Sequence, residues 1–257
     1  MKRTTSITDR QFEELTELVF QELAGTADGG RVLVLTLHDQ VRLAVSYLRV
    51  NVSQAFLGQI FGVSQSTASR VITALTPILA KALKGLIPDP EQASKGTTLL
   101  IDGTLLPCWS WQDAPELYSG KHHTTGHNAQ VVSDLTGRLI YLSAPLPGNT
   151  HDTNAMRQLD LATLLTSIST GNAIGDKGYQ GCNIITPAKK PQGRELTDDR
   201  KANNTIINRM RATIERVIAN IKTWRILHTD YRRPRKTFQT TLDAVRGLIF
   251  FQQSTPL

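Results

Sequence analysis

Apolar residues recur every three or four positions over the first ninety residues, which predicts helices there. Thr8 and Gln11 are spaced as a capping box and open a helix running to about Leu23; "GTADGG" ends it. Thr36 with Asp39 opens a second, apolar at Leu37, Val41, Ala44, Val45 and Leu48. The next stretch, "SQAFLGQIFGVSQSTASRVITALTPILAKAL", divides into a short helix from Ser53 to Phe61, a turn at Gly62 and Val63, and a longer helix from Ser64. Two short helices about a glycine-containing turn form the helix-turn-helix pattern. The second of them turns Gln65, Ser66, Ser69, Arg70 and Thr73 outward, side chains suited to bases and phosphates. An ordinary packed helical pair reads the same way from sequence.

"GLIPDPEQASKG" breaks the pattern and places a domain boundary near 88–96. The expected domains are 1–90, all helical, and 96–257. Beyond the break "TTLLIDGTLL", "HNAQVVSD" and "RLIYLSAPL" read as strands, the last two joined by "LTG" as a hairpin. "DTNAMRQLDLATLLTSI" is helical, "NAIGDKGY" is a short strand ending in a turn, and "NIITPA" reads as another strand. A long helix from about Asn203 to Arg225 follows, and "TTLDAVRGLIFFQQ" makes a last helix whose apolar face is expected to dock on the core. This order of elements predicts an α+β or α/β domain with a mixed sheet.

Composition narrows the function. The net charge is +7. Between Lys189 and Lys236 there are 14 Lys or Arg against 5 Asp or Glu, while the remainder carries 15 against 17. A localised basic region favours a polyanion, most simply nucleic acid, over a merely solvated basic surface. No apolar run reaches membrane-spanning length, and "MKRTTSITDRQ" is no secretory signal. With two distant cysteines, Cys108 and Cys182, a reducing cytoplasm is the expected home.

Three acids carry the candidate chemistry. Asp102 and Asp176 each end an apolar strand-like run, where a carboxylate is costly unless a cation or hydrogen bonds compensate. Glu215 is the lone acid among seven Lys or Arg from Arg200 to Thr229. At about 100° per residue it falls on the flank of the stripe Ile207, Met210, Ile214, Val217, Ile218, Ile221 and Trp224, with Asn208, Arg211 and Lys222 on the same flank. Glu215 is therefore expected to be semi-buried. An Arg211–Glu215 ion pair explains that pair but not the two strand-end aspartates. Three carboxylates suit Mg²⁺, and two such ions about 4 Å apart activate an attacking oxygen and stabilise a leaving one at phosphorus.

"IDGT" at 101–104, "GDKGY" at 175–179 and the R-x3-E-x6-K block of Arg211, Glu215 and Lys222 resemble the three blocks of the DDE transposases. The similarity is to the insertion-sequence-five type, related to the Harbinger transposases. "YSGKHH" at 118–123, "GNTHD" at 148–152 and the preceding helix-turn-helix extend it over nearly the whole chain. The resemblance implies a ribonuclease-H-like catalytic core over 96–257. It implies Asp102, Asp176 and Glu215 as a triad holding Mg²⁺ or Mn²⁺, two ions in all. It also implies Arg211 and Lys222 as contacts to transposon-end DNA. The 38 residues between Asp176 and Glu215 leave no room for a large inserted domain. Related transposases of the insertion-sequence-four type carry a Tyr three residues before this Arg, where Asn208 stands here.

Such an enzyme binds the terminal inverted repeats of its element, cuts phosphodiester bonds there, and joins the freed ends to target DNA. Its partners would be double-stranded DNA and, to pair two ends, at least a second copy of itself; its setting would be the bacterial nucleoid. Asp152 reads as a helix cap or supporting residue more readily than as a ligand. Lys121 reads as a DNA contact or a solvated edge, and Trp109 and Trp111 as base-stacking or packing side chains. "RRPRK" at 232–236 reads as a backbone-binding loop. The competing readings are a transposase-derived DNA-binding protein, a ribonuclease-H-like nuclease without strand transfer, and a helix-turn-helix regulator with a ligand domain.

Overall fold

The structure is a computed structural model. It describes residues 7–24, 34–93, 96–109, 113–168, 173–193 and 195–254. Trp111 lies outside them. The chain divides into two units, Met1–Ile87 with Lys222–Leu257, and Pro88–Ile221.

The first unit is helical. Its helices are α1 (Asp9–Ala24), α2 (Leu37–Val50), α3 (Gln54–Phe61) and α4 (Gln65–Ala82). Each opens where a Ser or Thr meets an orphan amide. The capping box forms reciprocally, with Thr8 N–H donating to Gln11 Oε1 at 3.0 Å and Gln11 N–H to Thr8 Oγ1 at 3.2 Å. Thr36, Ser53 and Ser64 accept the amides of Asp39, Phe56 and Thr67. Gly62 ends α3 in the left-handed region (φ 65°), which bends the chain into α4 and completes the helix-turn-helix. On α4 the buried side chains are Ala68, Ile72, Leu75, Thr76 and Leu79.

The last helix, α9 (Phe238–Ser254), differs from expectation. It belongs to the helical unit, where it packs along α4. The reason is shape. A Cβ on Gly247 would lie 2.6 Å from Leu83 Cβ, so the missing side chain lets α9 approach the end of α4 closely. Phe238, Leu242, Val245, Leu248 and Phe251 are buried in the process.

The second unit is built on β1 (Leu99–Pro107), β2 (Tyr118–Ser119), β3 (Thr124–Asp134), β4 (Leu139–Leu142), β5 (Leu146–Pro147) and β6 (Ala173–Ile174). β1 and β3 pair antiparallel from Leu99–Asp134 to Pro107–Gly126. β3 also pairs with β2, β4 and β5. The β3–β4 hairpin turns through "LTG" as expected, with the Asp134 carboxylate accepting the amides of Thr136 and Arg138. α6 (Asp152–Gln158) and α7 (Leu161–Ile168) then cross over to β6, which runs parallel to β1. The expected strand at "NIITPA" is a single parallel bridge, Ile174–Ile185. Leu99, Ile101, Val132 and Ile140 of the sheet pack with Met156, Leu161 and Leu165 of the crossover helices. Two antiparallel hairpin partners, a helical crossover and a parallel return strand make the mixed sheet of a ribonuclease-H-like core. α8 (Asp198–Lys222) closes the unit; an earlier short helix, α5 (Pro90–Ala93), opens it.

Candidate active site and nucleic-acid interface

The parallel register sets Leu100 of β1 beside Ile174 of β6. Two residues further along each chain stand Asp102 and Asp176, near enough for the Asp176 charge to act on Asp102. Asp176 lies just past the end of β6 as expected, but Asp102 is inside β1 and not at its end, because pairing with β3 carries the strand on to Pro107. Asp176 caps a short 3-10 turn by accepting the Gly178 amide at 2.7 Å. Burial is the main effect on Asp102 and raises its pKa to about 6. The nearby Asp176 adds to the rise, while Arg211, the Gly103 amide and Lys121 oppose it.

Arg211 donates from Nη2 to Asp102 Oδ2 at 3.1 Å, with both side chains about 15 % exposed. Its partner is thus neither Glu215 nor solvent. Its Nε is buried with no hydrogen-bond partner among the described residues. A planar guanidinium committed through one nitrogen keeps donors for a second anion.

Asp152 is the third aspartate in this group. It is the first residue of α6, not its cap; His151 takes the cap position without a side-chain bond. The Asp152 carboxylate instead meets Lys121 Nζ at 3.3 Å and is 8 % exposed. It is wedged between two glycines: a Cβ on Gly103 would lie 2.6 Å from Oδ1, and one on Gly178 2.6 Å from Oδ2. Those glycines directly follow Asp102 and closely follow Asp176, so one carboxylate gauges the spacing of the other two. Burial alone would lower Lys121, but Asp152, Asp176 and Asp102 together raise it and keep it charged. A cleft of about 210 Å³ opens beside these residues, lined also by Asn128, His151 and Thr104.

Beneath lies a hydrogen-bonded floor that the sequence reading did not single out. Tyr179 donates to Gln130 Oε1, Gln130 to Asn128 Oδ1 at 2.9 Å, and Asn128 to the Thr150 carbonyl at 3.0 Å. Gln130 and Tyr179 are fully buried. Burial, then Asp152, Asp102 and Asp176, push the Tyr179 hydroxyl well above its ordinary value, so it stays a donor. The available signal was a lone polar residue inside the apolar run "AQVV".

Glu215 departs from the expected semi-buried position: it is exposed. α8 buries only Thr213, Ile214, Val217 and Ile221, a narrower stripe than the apolar spacing suggested. Ile206 and Met210 lie on the same line of the helix but before its covered stretch and are exposed, while Glu215 lies about 100° or more around the helix from each buried residue. It is not among the charges acting on Asp102. Asn208 is also exposed, and Lys222 is half-buried, its pKa lowered by burial. Among the described residues no three His, Cys, Asp or Glu are gathered to hold a metal ion. The donor chemistry still fits a hard divalent cation. Two adjacent carboxylates supply oxygen ligands, and the buried Asp102 is costly to ionise without added positive charge.

In the helical unit, Gln65, Ser66 and Arg70 of α4 are exposed and Ser69 is half-buried, on the face opposite Ala68, Ile72 and Leu79. Ser66 Oγ shares a hydrogen bond with Ser64 Oγ at 2.9 Å, and Arg70 Nε donates to the Ser66 carbonyl at 3.2 Å. Trp109 is exposed and Lys121 reaches Asp152. No helix among the described residues is long and apolar enough to cross a membrane.

Comparison with known proteins gives two family matches. Residues 101–249 match the family described as DDE superfamily endonuclease, and residues 34–85 match the helix-turn-helix of DDE superfamily endonuclease. The chain is 32% identical to a putative transposase for insertion sequence element IS112 from Streptomyces albus G, over 87% of this chain and 83% of the relative. It is 26% identical to a probable transposase for insertion sequence element IS702 from Microchaete diplosiphon, over 98% and 93%. No solved structure matches it. The match over residues 101–249 spans more than half of the chain, and the chain belongs to the DDE superfamily endonucleases.

Proposed function

We propose that the protein is the DNA transposase of an insertion sequence. Its helix-turn-helix binds the terminal inverted repeats, and its sheet domain hydrolyses phosphodiester bonds at the element ends. The freed 3′-hydroxyls then attack target DNA by transesterification. The reading is supported above all by Asp102 and Asp176 standing near each other with Arg211 and Lys121 about them. Pairing two ends requires at least a dimer during the reaction.

Asp102 and Asp176 hold a divalent cation, Mg²⁺ or Mn²⁺, with Glu215 as the third acid of the proposal. When bound, the cation supplies the positive charge that activates the attacking oxygen and stabilises the leaving one. Arg211 holds Asp102 in place and offers its remaining donors to a phosphate. Asp152 keeps the two glycine-flanked turns in register and anchors Lys121 beside the cleft. Tyr179 and Gln130 fix the strands underneath.

The test is cleavage of a labelled duplex carrying the element's own end, with Mg²⁺, comparing wild type with Asp102→Asn and Glu215→Gln. The expected result is cutting at the end by wild type, and binding without cutting by both variants. Retained cutting by Glu215→Gln would remove that residue from the triad.

One observation favours a second reading, a transposase-derived protein that binds DNA without cutting. Arg211 already pairs with Asp102, and Glu215 is exposed and not among the charges acting on Asp102. In that case wild type binds the end and leaves it intact with either cation.

A further inference from the structure

The helix-turn-helix is short of positive charge. Between Val50 and Ala80 it has one Lys or Arg, Arg70. Contacts to phosphate carry most of the affinity of a DNA-binding protein and fix its register, so one cation is a poor complement. The missing charge stands beside it in the same unit. Arg233 Nη2 donates to Thr73 Oγ1 at 2.8 Å. Thr73 lies on α4 in line with Ser66 and Arg70, on the exposed face.

The segment that delivers Arg233 is built and anchored on both sides. Trp224, Ile226, Leu227 and Tyr231 are buried before it and Phe238 after it. Asn51 Nδ2 donates to Thr229 Oγ1 at 2.7 Å and to the Asp230 carbonyl at 3.3 Å. Tyr231 Oη is hydrogen-bonded to Thr237 Oγ1 at 2.6 Å and to Thr241 Oγ1 at 2.9 Å. Between these anchors runs "RRPRK", with Arg232, Arg235 and Lys236 exposed and no acid among the five. Four cations within five residues make a concentrated positive segment of the kind that a polyanion complements.

We propose that 232–236 is a phosphate clamp built onto the recognition helix, gripping the backbone of duplex DNA beside the bases that α4 meets. It makes the DNA-binding unit composite: α4 supplies sequence preference, and a segment more than 150 residues later supplies the charge. The proposal rests on the reading of α3 and α4 as a DNA-binding helix-turn-helix.

The test uses the full chain and fluorescence anisotropy with two duplexes, one carrying the element's end and one of scrambled sequence, over a range of salt. The triple variant Arg232→Ala, Arg235→Ala, Lys236→Ala should lose about 10- to 100-fold in affinity on both duplexes. Its log–log salt dependence should be shallower by about 2 to 3, the loss of about three phosphate contacts. The triple lysine-for-arginine variant Arg232→Lys, Arg233→Lys, Arg235→Lys should keep most of the slope, separating charge from folding. A preference for the end duplex together with an unchanged slope in the alanine variant overturns the clamp and leaves the helix-turn-helix reading standing. Loss of slope with no preference for the end duplex keeps the clamp and removes that reading. No binding of either duplex by wild type overturns both.

Discussion

At the scale of single residues, the arrangement around Asp152 leaves little room beside its carboxylate. Substituting Gly178 by Ala would put a Cβ 2.6 Å from Asp152 Oδ2 and 2.8 Å from Asp176 Oδ1. The expected cost is about 1–3 kcal/mol, with cleavage lost beyond what the lower stability explains. Thermal melting beside single-turnover cleavage checks both parts. Asp102 makes a second prediction through pH. Burial raises its pKa to about 6, above the value of about 4 of an unfolded chain. The folded, ion-free protein therefore holds this proton more tightly than the unfolded chain. That stabilisation is fully present below pH 4 and is lost as pH rises through 6, by about 3 kcal/mol at most. Melting in EDTA from pH 4 to 7.5 should show Asp102→Asn gaining on wild type as pH rises. A constant difference across that range would remove the assigned burial effect. The paired aspartates were legible because each ends an apolar run in the sequence. The Arg211–Asp102 bond was not, because its partners are 109 residues apart and only the packing of α8 brings them together.

At the scale of elements, the four capped helix starts were legible, whereas α8 begins at Asp198, five residues before the expected Asn203. Thr8, Thr36, Ser53 and Ser64 each satisfy an amide three residues on, and a local bond needs no knowledge of the fold. Ser64→Ala should therefore destabilise the helical unit by about 1 kcal/mol, read as a fall of a few degrees in melting temperature. The "LTG" hairpin was legible for the same reason. The burial of α8 was not. An apolar spacing states which side chains share a face, while the length of helix that finds a partner depends on the rest of the chain. Only the stretch from Thr213 to Ile221 is covered, so Met210, which precedes it, stays exposed; Glu215 lies within that stretch but about 100° or more around the helix from each buried residue. The destination of α9 was hidden likewise. Its apolar face suits any core, and the choice turns on the close approach of Gly247 to Leu83. Gly247→Val should push α9 off α4 and cost about 1–3 kcal/mol, with weaker DNA binding as a second readout.

At the scale of the whole molecule, the chain leaves the helical unit at Ile87 and returns to it at Lys222. Part of the uneven charge lies on the return: six of the 14 Lys or Arg between Lys189 and Lys236, namely Lys222, Arg225, Arg232, Arg233, Arg235 and Lys236. A fragment ending at residue 90 keeps the helix-turn-helix but lacks α9 and the basic segment. It should expose the apolar face of α4, aggregate or melt without cooperativity, and bind DNA at least ten-fold more weakly than the full chain. Adding Lys222–Leu257 back through a short linker should restore folding and binding together. A soluble, cooperatively folded fragment 1–90 with full affinity would show that the return segment is dispensable.

That return path bears on how an element of this kind could be restrained by its own products. Under the proposed function, a nonsense codon or frameshift within the sheet domain would yield a polypeptide that has lost its grip on DNA as well as its chemistry. Such a truncated product would not sit on the element ends and shut out the intact protein, whereas a contiguous recognition domain would make it a dominant inhibitor.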